Sequence, residues 1–134
     1  MRIIKSLFLI ILLLIVHTSC KKSKLDGSFS KLVGTWTWAW TTIGQPGPLS
    51  TSATTGYSLR LELEEKGKYK LYKDNKKIEY GRLQEDNGYI KFVSDDIFNK
   101  KNGMLRGSKI LIPNNDTIVI GLELYGDLMT FIKN

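Results

Sequence analysis

The chain has 134 residues and a net charge of +7 at pH 7, from 20 Lys and Arg against 13 Asp and Glu, with one histidine and one cysteine. That length allows one small domain with a single modest core. One histidine and one cysteine cannot make up a zinc ligand set of those residues, and one cysteine cannot build a disulfide framework.

In chain order, Arg2 and Lys5 precede ten unbroken apolar residues, Leu7 to Val16, and Thr18-Ser19-Cys20 follow. A basic start, a short apolar centre and small residues at the cut are the parts of an export signal. A membrane-spanning helix needs roughly 20 apolar residues, so this run is too short to be one. The small-small-Cys ending resembles a bacterial lipobox, with His17 where a leucine is usual. The resemblance implies cleavage after residue 19 and a diacylglycerol on Cys20. Two or more acyl chains give stable anchoring, at about 0.8 kcal/mol per buried methylene. The second mature residue is Lys21, and Lys21-Lys22-Ser23-Lys24 carries no acid. By resemblance to lipoprotein sorting rules, this implies the outer membrane and its periplasmic face.

Removing residues 1–19 leaves 115 residues with a net charge of +5, no histidine, and no thiol once Cys20 is acylated. The lipid accounts for the lone cysteine, so a monomer anchored to the membrane is expected. The moderate basic balance calls for no nucleic-acid partner, and no cofactor, metal site or catalytic group is expected. Residues 20–31 read as a polar tether, too poor in apolar side chains to pack.

From Leu32 onward, apolar and polar residues alternate between short turn signals, the pattern of half-buried antiparallel strands. Trp36, Trp38 and Trp40 alternate with Thr35, Thr37, Ala39 and Thr41. Leu59, Leu61 and Leu63 alternate with Arg60, Glu62 and Glu64. Tyr69 and Leu71 follow a Glu65-Lys66-Gly67 turn, and Asp74-Asn75 leads into Ile78 and Tyr80. Further runs are Tyr89–Val93, 109–112, 117–122 and 128–132, set off by Asp86-Asn87-Gly88, Pro113-Asn114-Asn115-Asp116 and Gly126-Asp127. A short helix is expected at 94–101, capped by Ser94 with Asp95 and Asp96 in its first turn. Asp95, Asp96 and Asn99 fall short of the six to eight oxygens calcium takes. About eight strands joined in sequence predict an all-β domain over residues 32–134. A small eight-stranded antiparallel up-and-down barrel leaves no sheet edge exposed.

Within that pattern, Gly34-Thr35-Trp36 resembles the Gly-x-Trp opening of lipocalin-type barrels. With the lipobox, the chain resembles the lipocalin-like lipoproteins of Bacteroidetes-type bacteria. Two features of the family have no match: the arginine that covers the tryptophan, for which Lys133 is the nearest residue, and the helix beside the barrel. Independently of the family, Gly34 lets backbone pass closely and Trp36 plugs the floor, burying on the order of 200 Å². The stretch Thr42 to Gly56 falls where such barrels carry a lid.

Two uses of the barrel remain open. An apolar cup lined by Trp38, Trp40, Tyr57, Leu59, Leu61 and Tyr69, beneath the 42–56 loop, would take a small apolar or amphipathic ligand. Alternatively, these side chains fill the barrel themselves. It then serves as an envelope module that binds a protein or glycan through its outer face and loops. Glu62 and Glu64 share the wet face of one strand with no cleft around them, so an enzyme is disfavoured.

Overall fold

The computed structural model describes residues 27–44, 47–95, 103–122 and 126–134. It is all-β. Nine strands follow one another: β1 (Gly34–Thr42), β2 (Leu49–Ser50), β3 (Leu59–Leu63), β4 (Lys68–Lys73), β5 (Lys76–Asp86), β6 (Tyr89–Ser94), β7 (Lys109–Asn114), β8 (Thr117–Gly121) and β9 (Leu128–Lys133). Every pairing is antiparallel, and β1 pairs with both β3 and β9. Eight strands therefore close into an up-and-down barrel, and β2 is an extra strand folded back on the end of β1.

Local chemistry sets the corners. Asp74-Asn75 and Asn87-Gly88 both take positive φ at two successive residues. That is the two-residue hairpin turn whose twist matches the strands it joins. At the β3–β4 corner Gly67 has φ 71° and closes β3 onto β4. The tight connections β3–β4, β5–β6 and β7–β8 gather at one end with both termini of the barrel. The longer ones, after β1, β6 and β8, gather at the other, which we call the upper end.

The lower end is closed by a 3-10 helix, Gly27–Leu32, which differs from the expected tether. Phe29 and Leu32 are both buried in the core. Two apolar side chains at a three-residue spacing lie on one side of a 3-10 turn, where i and i+3 eclipse. The ordered domain therefore includes residue 27. The proposed cleavage site, Cys20 and residues 21–26 lie outside the described residues, as does most of the helix expected at 94–101. Ser94 itself ends β6.

Trp36 forms the floor. It has no exposed surface, and its indole N–H donates to the Leu32 carbonyl at 2.8 Å. Lys133 lies opposite Trp36 in the β1–β9 register and places its ammonium 5.3 Å from the ring centroid. That ammonium also donates to the Lys31 carbonyl at 3.1 Å. Gly34, at φ 141°, makes room for it, because a Cβ there would sit 3.1 Å from Lys133 Cε.

Among the described residues the register shifts on β1, β5 and β7, and the first two set which side chains face inward near the upper end. On β1, Trp38 faces Phe131 but Trp40 faces Thr130, so one residue is extra. On β5, Leu71 faces Glu79 while Tyr72 faces Lys77. An extra residue exchanges the inner and outer sets beyond it. Tyr80, which plain alternation would put on the same face as Ile78, is consequently exposed, and Glu79 is buried.

Gly81 lies on the inner wall opposite Tyr69 and Ser94. A Cβ there would come within 2.1 Å of the Val93 carbonyl oxygen and 2.9 Å of Tyr69 Cε1. Gly81→Ala should therefore lower stability by about 1–3 kcal/mol, the usual penalty of overpacking. Urea unfolding followed by circular dichroism checks this, and an unchanged midpoint would contradict the close approach.

Candidate functional site

The inner wall is apolar and continuous. Leu61, Tyr69, Leu71, Ile118, Ile120 and Phe131 all have zero accessible surface. Side chains lining a ligand-sized cavity would retain accessible surface. In these central layers the barrel is therefore filled by its own side chains, the arrangement expected for eight strands. Tyr69 meets Phe92 edge-to-face with centroids 4.9 Å apart, which locks two large rings across the interior.

The six residues expected to line a cup separate into three groups. Leu59, Leu61 and Tyr69 are core residues. Trp38 and Tyr57 do come together at the upper rim, stacked at 5.5 Å with an interplanar angle of 10°. Trp38 is buried and Tyr57 half-buried. Trp40 departs from the set: the β1 bulge turns it to the outer face, where it is 38% exposed. The same bulge brings Thr41 onto the inner side opposite Met129, and its Oγ1 accepts the Trp38 indole N–H at 2.9 Å. The bulge thus gives a buried donor its partner, which an apolar neighbour could not supply. Lys73, on the inner side opposite Leu59, sets its ammonium 4.1 Å from the Tyr57 ring centroid.

Beside this rim lies a buried polar cluster that the alternation did not announce. The Tyr69 hydroxyl donates to Glu79 Oε1 at 2.8 Å, and the Leu105 backbone N–H donates to Glu79 Oε2 at 3.2 Å. Leu105 itself is fully buried. The connection between β6 and β7 is sewn to the wall by Gly107 N–H to the Phe92 carbonyl and Phe92 N–H to the Ser108 carbonyl, both at 3.1 Å. A carboxylate on the inner wall thus pulls a loop into the upper barrel, and the leucine fills the space. The signal for Glu79 was the phase Leu83, Gly81, Glu79 read backwards along β5. It was masked by the more apolar pair Ile78 and Tyr80.

Burial, and then the Glu79 carboxylate, push the Tyr69 phenol well above its ordinary value of 10.0. On the outer wall, Lys70 lies 2.5 Å from Glu64, and this hydrogen bond holds the Glu64 carboxyl below its ordinary 4.5. Arg60 pairs with Glu62, which also accepts from the Tyr72 hydroxyl at 3.1 Å. Exposed pairs of this kind contribute little stability. They show Glu62 and Glu64 engaged with cations on a convex surface.

The described part of the 42–56 stretch, all but residues 45 and 46, is built. Thr41 and Thr42 pair with Ser50 and Leu49. Thr51 caps a single helical turn, Ser52–Thr55, through a reciprocal hydrogen-bond pair with Thr54, and Gly56 ends it at φ 75°. Gly44 N–H donates to Asp127 Oδ1 at 3.2 Å, tying the stretch to the β8–β9 connection.

Among the described residues, no group of three His, Cys, Asp or Glu side chains converges as a metal site would require. No helix among them is long and apolar enough to cross a membrane. Comparison with known proteins gives a likeness of fold. No family model and no curated protein matches the chain. The NMR structure of a protein from Burkholderia xenovorans superposes with a TM-score of 0.51 at 15% identity, covering 88% of this chain and 97% of that one. At that identity the likeness concerns the barrel alone.

The raised Tyr69 phenol carries a sign. Below pH 10 its contribution to stability is fully present. As pH rises further the unfolded chain ionises while the folded one does not, and the contribution is lost. Tyr69→Phe should cost about 1–3 kcal/mol at pH 7 by leaving Glu79 short of a donor. It should also make the alkaline fall in stability between pH 9 and 11 shallower than in the wild type. Denaturation midpoints across that range test both, and parallel curves would refute the assignment.

Proposed function

We propose that this protein is an exported envelope lipoprotein, anchored by a diacylglycerol on Cys20, whose lipocalin-like barrel is a solid interaction module rather than a carrier or an enzyme. One observation carries the reading. Of the side chains that would line a cup, Leu59, Leu61 and Tyr69 are closed off in the core at 1%, 0% and 0% exposure, and Leu105, held through Glu79, is fully buried below the upper rim. Recognition then falls to the outer face and the upper end of β1 and β2, where Trp40, Ile43 and Leu49 are exposed.

Support for the lipocalin-like reading comes from the floor. Gly34 and Trp36 lie on the first strand, as the resemblance implies, and Lys133 stands over the tryptophan where the family has arginine. Support for the anchor comes from the sequence alone: the basic start, the ten apolar residues and Thr18-Ser19-Cys20. The periplasmic face of the outer membrane is the address these residues fit. Against catalysis stand the absence of histidine and free thiol after Cys20 and the convex, ion-paired setting of Glu62 and Glu64.

A shallow rim site is the second reading, favoured by the Trp38–Tyr57 stack with Lys73 above it. Tryptophan emission separates the two. A panel of fatty acids and retinoid-like probes at micromolar concentration should leave the emission of the detergent-solubilised protein unchanged. A saturable quench that is lost in Tyr57→Ala would establish the rim site and overturn the solid module.

A further inference from the structure

The outer wall of the barrel has two unlike halves. Over β3 to β6 most outward side chains are charged or phenolic, among them Arg60, Glu62, Lys70, Tyr72 and Arg82, with Gln84 and Val93 the exceptions. Across β7, β8, β9 and β1 the register aligns a different row: Leu111 opposite Val119, Val119 opposite Thr130, Thr130 opposite Trp40. The next row towards the upper end runs Lys109, Gly121, Leu128, Thr42, Leu49. Towards the lower end Thr117 and Thr37 flank Ile132. Leu111, Trp40, Ile132 and Leu49 are 44%, 38%, 43% and 59% exposed, Ile43 just beyond β1 is exposed as well, and Thr130 between them is covered. None of the residues in these rows is acidic. Apolar side chains scattered singly are ordinary, whereas contiguous rows mark a contact surface.

We propose that this face, the outer wall of β7, β8, β9, β1 and β2, rests on the bilayer surface that carries the Cys20 anchor. The inference stands on the anchor reading given above and adds an orientation to it. Chain length is the first argument. Six residues, 21–26, lie between Cys20 and Gly27, and the seven steps at about 3.5 Å each reach at most about 25 Å. A barrel on so short a leash stays beside the membrane, and one of its faces meets it.

The second argument is where the leash enters. The 3-10 helix leads into β1, and Lys133 of β9 holds the Lys31 carbonyl. The chain therefore joins the barrel at the β1–β9 seam, the middle of the apolar rows. Chemistry is the third. Tryptophan favours the depth of the lipid head groups, and leucine and isoleucine the acyl boundary just below. Lys109 within the face, and Lys21, Lys22 and Lys24 in the leash, suit anionic head groups. The charged half over β3 to β6 then faces water.

The protein extracted from host membranes and reconstituted into vesicles of phosphatidylethanolamine and phosphatidylglycerol (3:1) tests this. Brominated and plain acyl chains are compared, and mass spectrometry reads Cys20 in the same sample. With an acyl mass present, bromine should remove about a third of the emission, the share of one tryptophan among three. Trp40→Phe should abolish that loss. Leu111→Glu, an outward change that leaves the core intact, should at least halve it. Acylated protein whose emission bromine leaves untouched overturns the orientation and leaves the anchor standing. An unmodified Cys20 overturns the anchor and the orientation with it. A Trp40 emission that shifts with protein concentration but ignores bromine assigns the face to a second copy of the chain and also overturns the proposal.

Discussion

The floor of the barrel rests on one indole. Trp36 is large enough to span the lower end, and its N–H is buried, so it needs an acceptor at a fixed place. The Leu32 carbonyl is that acceptor, and reaching it obliges the chain before β1 to turn inward as a 3-10 helix. Phe29 and Leu32 then add their apolar surface beneath the ring. Lys133, crossing from the last strand, lays its ammonium against the indole and ties off the Lys31 carbonyl. First strand, last strand and N-terminal helix thus meet in one contact, and the barrel closes where its two ends join. A lysine supplies the charge and one hydrogen-bond geometry but not the planar stacking surface of arginine.

Above the floor, two register shifts decide the character of the molecule. The shift in β1 takes Trp40 out of the interior and brings in Thr41, which satisfies the Trp38 indole. The shift between β4 and β5 brings in Glu79 and sends Tyr80 out. The first leaves an aromatic side chain on an apolar outer wall. The second places a carboxylate inside, where it recruits the Tyr69 hydroxyl and the Leu105 amide and draws a loop into the barrel. A cup that plain alternation would have left open at the top is filled, and surface chemistry moves to the outside.

Most of the architecture was legible in the sequence. All eight barrel strands follow from alternation and from turn residues such as Asp74-Asn75 and Asn87-Gly88, because hydrophobic period and turn geometry are local properties. Gly34 and Trp36 were legible as structural residues for the same reason. The 3-10 helix was not: with only Phe29 and Leu32 as apolar residues it looks like linker, and its stability comes from contacts with β1 and β9. Strand β2 escaped because two residues carry no period. The candidate site was legible only in part. Trp38 and Tyr57 meet as expected, but Trp40 and Glu79 exchange places with their neighbours through single extra residues, and a bulge is a property of the pairing. The proposed lipid anchor falls on residues outside the described ones and stands on the motif alone.

The central claim is that the Trp36 indole, bonded to Leu32 and covered by Lys133, closes the barrel for as long as the fold persists. Native-state hydrogen exchange of that single indole proton, followed by NMR at increasing sub-denaturing urea, tests it most directly. The account predicts exchange only through global unfolding, with protection falling as steeply with urea as the stability of the whole domain. Exchange that is fast and independent of urea would mean the floor opens on its own and would contradict it.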